Sequence, residues 1–115
     1  MHKKYLLVLL LKVKDILSKE KTLMRFDYPD DIELTVCGDT HGQYYDLLNI
    51  FKINGNPSDT NPYLFNGDFV DRGSFSAEVM ITLLAWKACN PKAMHLTRGN
   101  HETKNMNKLY GFEGE

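Results

Sequence analysis

Apolar residues along this chain follow two rhythms, and glycine-bearing polar loops mark the boundaries between repeats of the second. After Met1-His2-Lys3-Lys4 the run from Tyr5 to Leu11 is wholly apolar; Lys12 interrupts it, and Val13, Ile16 and Leu17 continue at helical spacing. That periodicity predicts an amphipathic helix over residues 1–22. A basic front with a short apolar run imitates a secretory leader, but lysine breaks the run and no small-residue cleavage site follows. The run is also far shorter than the roughly 20 apolar residues that cross a bilayer, so no membrane anchor is expected. Residues 27–33, with Pro29 and several acids, read as a solvated connector.

From Leu34 the rhythm changes. Leu34-Thr35-Val36-Cys37 is short, apolar and β-rich, a buried strand running into Gly38-Asp39-Thr40-His41-Gly42. Tyr44, Leu47, Leu48 and Phe51 then share one helical face, and Asn54-Gly55-Asn56-Pro57 stops that helix. The unit recurs: a strand at Tyr63-Leu64-Phe65, a polar loop from Gly67 to Gly73, and a helix with Ser74 as N-cap and Val79, Met80, Leu83, Leu84 and Trp86 as its apolar residues. A third strand, Met94-His95-Leu96, leads into Arg98-Gly99-Asn100-His101-Glu102. Strands alternating with helices predict an α/β fold of parallel βαβαβ type, in which ligands collect beyond the carboxyl ends of the strands. All the polar loops should therefore meet on one edge of the sheet.

Composition narrows the picture only a little. At 115 residues the chain is one domain or part of one. Its 43 % hydrophobic and 25 % charged residues are those of a globular protein rather than a disordered or fibrous one. A net charge of -1, with no lysine and arginine stripe beyond residue 21, argues against a nucleic-acid partner. Cys37 and Cys89 both lie in apolar stretches and read as reduced, buried thiols, which points to an intracellular setting, cytoplasmic or nuclear.

The chemistry sits in the loops. Pooled, they offer Asp39, His41, Asp68, Asp71, Asn100 and His101 at one place. Hard oxygen ligands mixed with imidazole suit a divalent ion such as manganese, iron or zinc, and Asp68, from the middle strand, is placed to bridge two of them. A single Gly-Asp-x-His-Gly is also compatible with an ordinary turn in which aspartate caps a helix. No folding rule asks for Asp, His and Asn at successive strand ends, however. Arg72 admits a second reading as an ion-pair partner of Asp71. His95 reads as a packed strand residue and Arg98 as a donor to neighbouring loop backbone. The cysteines, the methionines and the leucine-rich first helix are assigned to the core.

Gly38-Asp39-Thr40-His41-Gly42, Gly67-Asp68-Phe69-Val70-Asp71-Arg72-Gly73 and Gly99-Asn100-His101-Glu102 together resemble the signature of the phosphoprotein phosphatase family, calcineurin-like metallophosphoesterases that act on seryl and threonyl phosphates. The resemblance covers residues 33–115 and implies a partial catalytic domain: the βαβαβ half of a four-layer α/β/β/α sandwich with mainly parallel strands. It implies two divalent metal ions, manganese first and iron or zinc as alternatives. Asp39, His41 and Asp68 would hold one, and Asp68 and Asn100 the other, with a hydroxide between them as the nucleophile. It makes His101 the general acid, Asp71 the group that holds its ring, Arg72 a clamp on phosphate oxygens and Tyr110 part of the substrate groove. Members of the family also draw two further histidines, a second arginine and a second sheet from later sequence, none of which appears before Glu115, and neither His2 nor His95 is placed to substitute. The expected function is dephosphorylation of phosphoproteins, impaired by truncation. A non-catalytic fragment that binds partners through exposed apolar surface is the alternative. Cleavage of dinucleoside polyphosphates, as by related metallophosphoesterases, is a third.

Overall fold

A computed structural model describes residues 2–115. In chain order the elements are α1 (Lys3–Ser18), β1 (Thr35–Cys37), α2 (Tyr44–Asn54), β2 (Tyr63–Phe65), α3 (Ser76–Cys89), β3 (Met94–Leu96), α4 (Lys104–Tyr110) and a final 3-10 turn (Phe112–Gly114). The strands form one parallel sheet in the order β1-β2-β3, with Val36, Leu64 and His95 in one register row.

Alternation along the strands decides what each face of the sheet does. Tyr63, Phe65 and Met94 pack under α2 and α3, where Leu47, Phe51, Val79 and Leu83 complete a core that also takes in Phe69 and Val70. Phe51 meets the rings of Tyr63 and Phe65 edge-on, at centroid separations of 5.4 and 6.2 Å. On the other row, Val36 is exposed while His95 is covered by the connector: Phe26 lies 4.1 Å from its ring, and the Tyr28 hydroxyl is 2.6 Å from Nε2. The described residues thus hold the expected βαβαβ unit, and the second sheet of the sandwich is not among them.

Several expectations need correction. The first helix is not core: Val13 alone is buried in α1, while Tyr5, Leu7, Val8, Leu10 and Leu11 are exposed. It packs mainly against α3, which covers the stripe of Leu6, Leu9, Val13 and Ile16, while Tyr5, Leu7, Val8, Leu10, Leu11 and Leu17 stay exposed. Cys89 is exposed and Cys37 only half buried, both as free thiols, and burial pushes the Cys37 thiol up from its ordinary pKa. Ser74 does not cap α3, whose N-cap position is Phe75 without a side-chain bond. The tight turn through Gly73 leaves Ser74 exposed and buries Ser76 instead, where its hydroxyl accepts the Asp71 N–H at 3.1 Å. Lys87, which nothing in the sequence singles out, is fully buried, its ammonium paired with Glu20 and donating to the carbonyls of Pro91 (2.9 Å) and Met94 (2.8 Å). No helix of the described residues is long and apolar enough to cross a membrane.

Candidate metal centre

Each strand ends by delivering its loop to the same edge, and main-chain bonds tie the loops to one another. The Asp68 carbonyl accepts the N–H groups of Thr40 (3.1 Å) and His41 (3.0 Å), and the Phe69 carbonyl accepts that of Gly42 at 2.9 Å. From the third loop the Glu102 carboxylate accepts the N–H groups of Asp68 and Phe69, both at 2.8 Å, and of Gly99 at 2.7 Å. A carboxylate bonded to backbone on two loops acts as a rivet, since bonds to a charged acceptor are the strong ones. Glu102 lies inside a motif that the sequence singles out, but its structural task is visible only here.

This framework holds the backbone in conformations that side chains rarely adopt. His41, Asp68, Asp71 and Arg72 all have positive φ, at 36°, 52°, 70° and 69°. Such residues cost on the order of 1–3 kcal/mol each and persist where the surroundings over-determine them. At Gly99 the requirement is a close approach, because a Cβ there would overlap the Asp68 carboxylate and its backbone N–H.

The side chains aimed outward from these loops converge. Asp39, His41 and Asp68 each place a ligand atom within 4.8 Å of the other two. The His41 Nδ1 lies 2.8 Å from the Val70 carbonyl, which can only accept, so the proton sits on Nδ1. The lone pair of Nε2 is thereby turned toward Asp39, whose nearest oxygen is 3.7 Å away. A carbonyl behind one ring nitrogen and carboxylates before the other is the usual setting of a metal-ligating histidine. Asn100 lies beside them: its amide nitrogen donates to both oxygens of the Asp68 carboxylate, at 3.0 and 3.2 Å, which brings its side chain to the same cluster. The donor set, three oxygen ligands and one imidazole, suits a divalent ion such as manganese, iron or zinc.

Behind this cluster lies a buried pair. His101 Nδ1 and Asp71 Oδ2 are 3.0 Å apart, with exposures of 2 % and 0 %. Burial pushes the Asp71 carboxyl up, but bonds from His101, the Phe112 N–H and Asn107 outweigh it and hold the group below its ordinary pKa. Asp71 is therefore ionised, and its oxygen fixes the His101 proton on Nδ1, leaving Nε2 free. The ring of His101 lies 4.7 Å from that of His41 and 5.1 Å from that of Tyr110. Arg72 makes no ion pair with Asp71 among the described residues; its guanidinium lies 5.6 Å over the Tyr110 ring, and its main-chain N–H donates to the Tyr110 carbonyl. Arg98 donates to the Glu102 carbonyl at 3.1 Å, a tie between loop residues as expected.

All seven predicted site residues thus come together on one edge, Asp71 and His101 buried and Asp39, Arg72 and Asn100 exposed. Sequence reasoning missed Glu102, Ser76 and Asn107, whose amide donates to Asp71 Oδ2 (3.0 Å) and to the His101 carbonyl (2.8 Å).

The chain is 60 % identical to human serine/threonine-protein phosphatase 5 over all 115 residues, and 61 % identical over 107 residues to serine/threonine-protein phosphatase T of Trypanosoma brucei brucei. It covers 23 % of the length of each of these relatives. Residues before the loops share in the likeness, beyond the stretch from residue 33 on which it first rests. A solved protein serine/threonine phosphatase from Saccharomyces cerevisiae superposes with a TM-score of 0.96 at 43 % identity, over 99 % of this chain and 37 % of that one. The calcineurin-like phosphoesterase family matches residues 32–115, the segment that carries every one of the converging loops, and the chain belongs to that family.

Proposed function

We propose that this chain carries the metal and proton-donor groups of a protein phosphatase acting on phosphoseryl and phosphothreonyl residues. The observation that supports it most is the convergence of Asp39, His41 and Asp68 beside the buried Asp71–His101 pair. Asp39, His41 and Asp68 would hold one divalent ion and Asp68 with Asn100 a second, manganese being the first choice. When bound, such ions polarise water and phosphoryl oxygens as Lewis acids. The protein's own groups do the rest. His101, its Nδ1–H held by ionised Asp71, would act once a second proton sits on Nε2: that proton goes to the departing seryl or threonyl oxygen and leaves the neutral ring with its remaining proton on Nδ1. Arg72, exposed at the loop end, offers a planar fork of donors matched to phosphate oxygens. Two free cysteines support an intracellular setting, cytoplasmic or nuclear.

A second reading, a metal-binding module without turnover, has one observation in its favour. Among the described residues only Asp39, His41 and Asp68 gather three charged or imidazole ligands, which leaves a second ion with Asp68 and Asn100 alone. Exposed apolar side chains such as Val36, Ile53 and Leu109 would then serve association. Calorimetric titration with manganese, alongside release of phosphate from a phosphopeptide and from a dinucleoside polyphosphate, separates the readings. The expected result is manganese binding that Asp68→Asn weakens by more than about 100-fold, with turnover of the phosphopeptide. Binding without turnover selects the module, preferential cleavage of the nucleotide overturns the substrate assignment, and absence of binding overturns the site.

A further inference from the structure

The Asp71–His101 pair does not hold itself in place. Asp71 reaches the site from the loop after β2 and His101 from the loop after β3, and the carboxylate is wholly buried. Three donors converge on it: His101 Nδ1 and Asn107 Nδ2 on Oδ2, each at 3.0 Å, and the Phe112 N–H on Oδ1 at 3.0 Å. Two of the three come from beyond both loops, from α4 and the turn that follows it. Asn107 is the more informative, because its nitrogen also donates to the His101 carbonyl at 2.8 Å. An amide –NH2 has two protons, and both are used. One atom thus joins the carboxylate to the backbone of the histidine that the carboxylate must face.

We propose that Asn107 is a positioning residue for His101, fixing the rotation of the Asp71 carboxylate so that the Nδ1 proton stays anchored there and Nε2 is the nitrogen that takes up and hands on a proton. The inference rests on the reading of His101 as the proton donor. The terminal torsion of an aspartate is broad, so a buried carboxylate keeps one orientation only when its oxygens are individually engaged. The neighbouring architecture holds Asn107 in turn: Thr103 caps α4 by accepting the Met106 N–H at 3.3 Å, and its carbonyl accepts the Asn107 N–H at 3.1 Å. The side-chain bonds of Asn107 go to Asp71 and His101, not to Asp39, His41, Asp68 or Asn100. Its loss should therefore disturb the proton donor and leave ion binding alone.

The test is long-range proton–nitrogen NMR of the His101 ring in the metal-free 115-residue chain, comparing Asn107→Leu with the parent and with Asn105→Leu at an exposed neighbouring position. Losing a bond to a charged acceptor changes an equilibrium by about tenfold or more. The Nδ1-protonated tautomer should predominate in the parent and in Asn105→Leu, and its ratio to the other tautomer should drop about tenfold or more in Asn107→Leu. Backbone amide protection in β1, β2 and β3 should stay unchanged. Asn107→Ala, which removes the donor without adding bulk, provides the same comparison should leucine prevent folding. An unaltered tautomer ratio overturns the proposal, and so does a change accompanied by equal loosening of the sheet, which is what a merely structural residue would give. Manganese titration of the same proteins keeps the two readings apart. A parent chain that binds no manganese removes the metal centre, while the tautomer ratio still decides the role of Asn107.

Discussion

The loop edge and the N-terminal segment are held by opposite means. At the loop edge main-chain groups are tied to main-chain groups and to the carboxylates of Glu102, Asp68 and Asp71, tightly enough to keep four non-glycine residues at positive φ. Residues 2–33 attach to the remainder mainly through side chains: the covered stripe of α1 on α3, the Glu20–Lys87 pair, and Phe26 and Tyr28 on His95. The first region is over-determined and should fail as a whole. The second is latched at a few points and should come loose without taking the site with it.

The sharpest way to break this contrast is Glu102→Gln. Glutamine supplies one oxygen where three N–H groups converge and turns an amide nitrogen toward donors. With bonds to charged acceptors worth about 1.5–3 kcal/mol each, urea unfolding should show a loss of about 3–5 kcal/mol, and manganese affinity should fall with it. Retention of affinity would mean that the loops do not need their rivet. Glu20→Ala probes the other region by stranding the buried Lys87 ammonium on two carbonyls. Breaking a buried pair costs about 3–5 kcal/mol, and because Glu20 is 24 % exposed the expected loss is nearer 2–3 kcal/mol. Manganese affinity should stay within about twofold, as for distant independent sites. A matching loss of affinity would show that the two regions unfold as one.

Acid should separate the regions as well. Burial, and then the charge of Lys87, hold the His95 pKa below its ordinary value, so the folded chain keeps this imidazole neutral. The unfolded chain takes up a proton near pH 6.5 and the folded one only at lower pH. Stability from this group is therefore complete above about pH 6.5 and declines as pH falls toward the depressed value, at no more than about 1.4 kcal/mol per unit. Asp71, whose pKa is lowered, behaves differently: its contribution is intact above about pH 4 and is lost as pH falls below that. Loosening of the Phe26–Tyr28 latch should thus precede failure of the loop edge. Urea midpoints at pH 7.5 and 5.5 should differ in the parent and differ less in His95→Gln, where a hydrogen-bond partner for the Tyr28 hydroxyl remains but no titration occurs. Equal midpoints in the parent would remove His95 as the cause.

What could be read in advance follows the same division. β1, β2 and β3 and the ligands at their ends were legible because strand, glycine and ligand are contiguous: Val36 and Cys37 run directly into Gly38 and Asp39. The role of Glu102 was not, because Asp68 and Phe69 lie more than 30 positions away and donate through backbone, which has no residue signature. Lys87 was hidden for a related reason: lysine is by default an exposed residue, and only the fold reveals Glu20 beside it. α4 was missed although Thr103 and the left-handed Gly111, at φ 114°, frame it, since a seven-residue helix shows barely two turns of periodicity. In α1 the error ran the other way. The apolar run from Tyr5 to Leu11 predicts a helix correctly but cannot say which side a single neighbour will cover.

That last ambiguity yields the smallest expected effect. Leu10 and Leu11 are 43 % and 58 % exposed, whereas Val13, on the same helix, is 2 % exposed. Glutamine has nearly the helix propensity of leucine, so Leu10→Gln and Leu11→Gln change neither the helix nor a buried contact. Each should stay within about 0.5 kcal/mol of the parent by urea unfolding, as surface substitutions do. Val13→Ala, which removes two buried methyl groups facing α3, should cost more than either. If Leu10→Gln costs more than Val13→Ala, then α1 turns a different stripe toward α3 than the one described, and the latch at Glu20, farther along the same helix direction, would have to be redrawn with it.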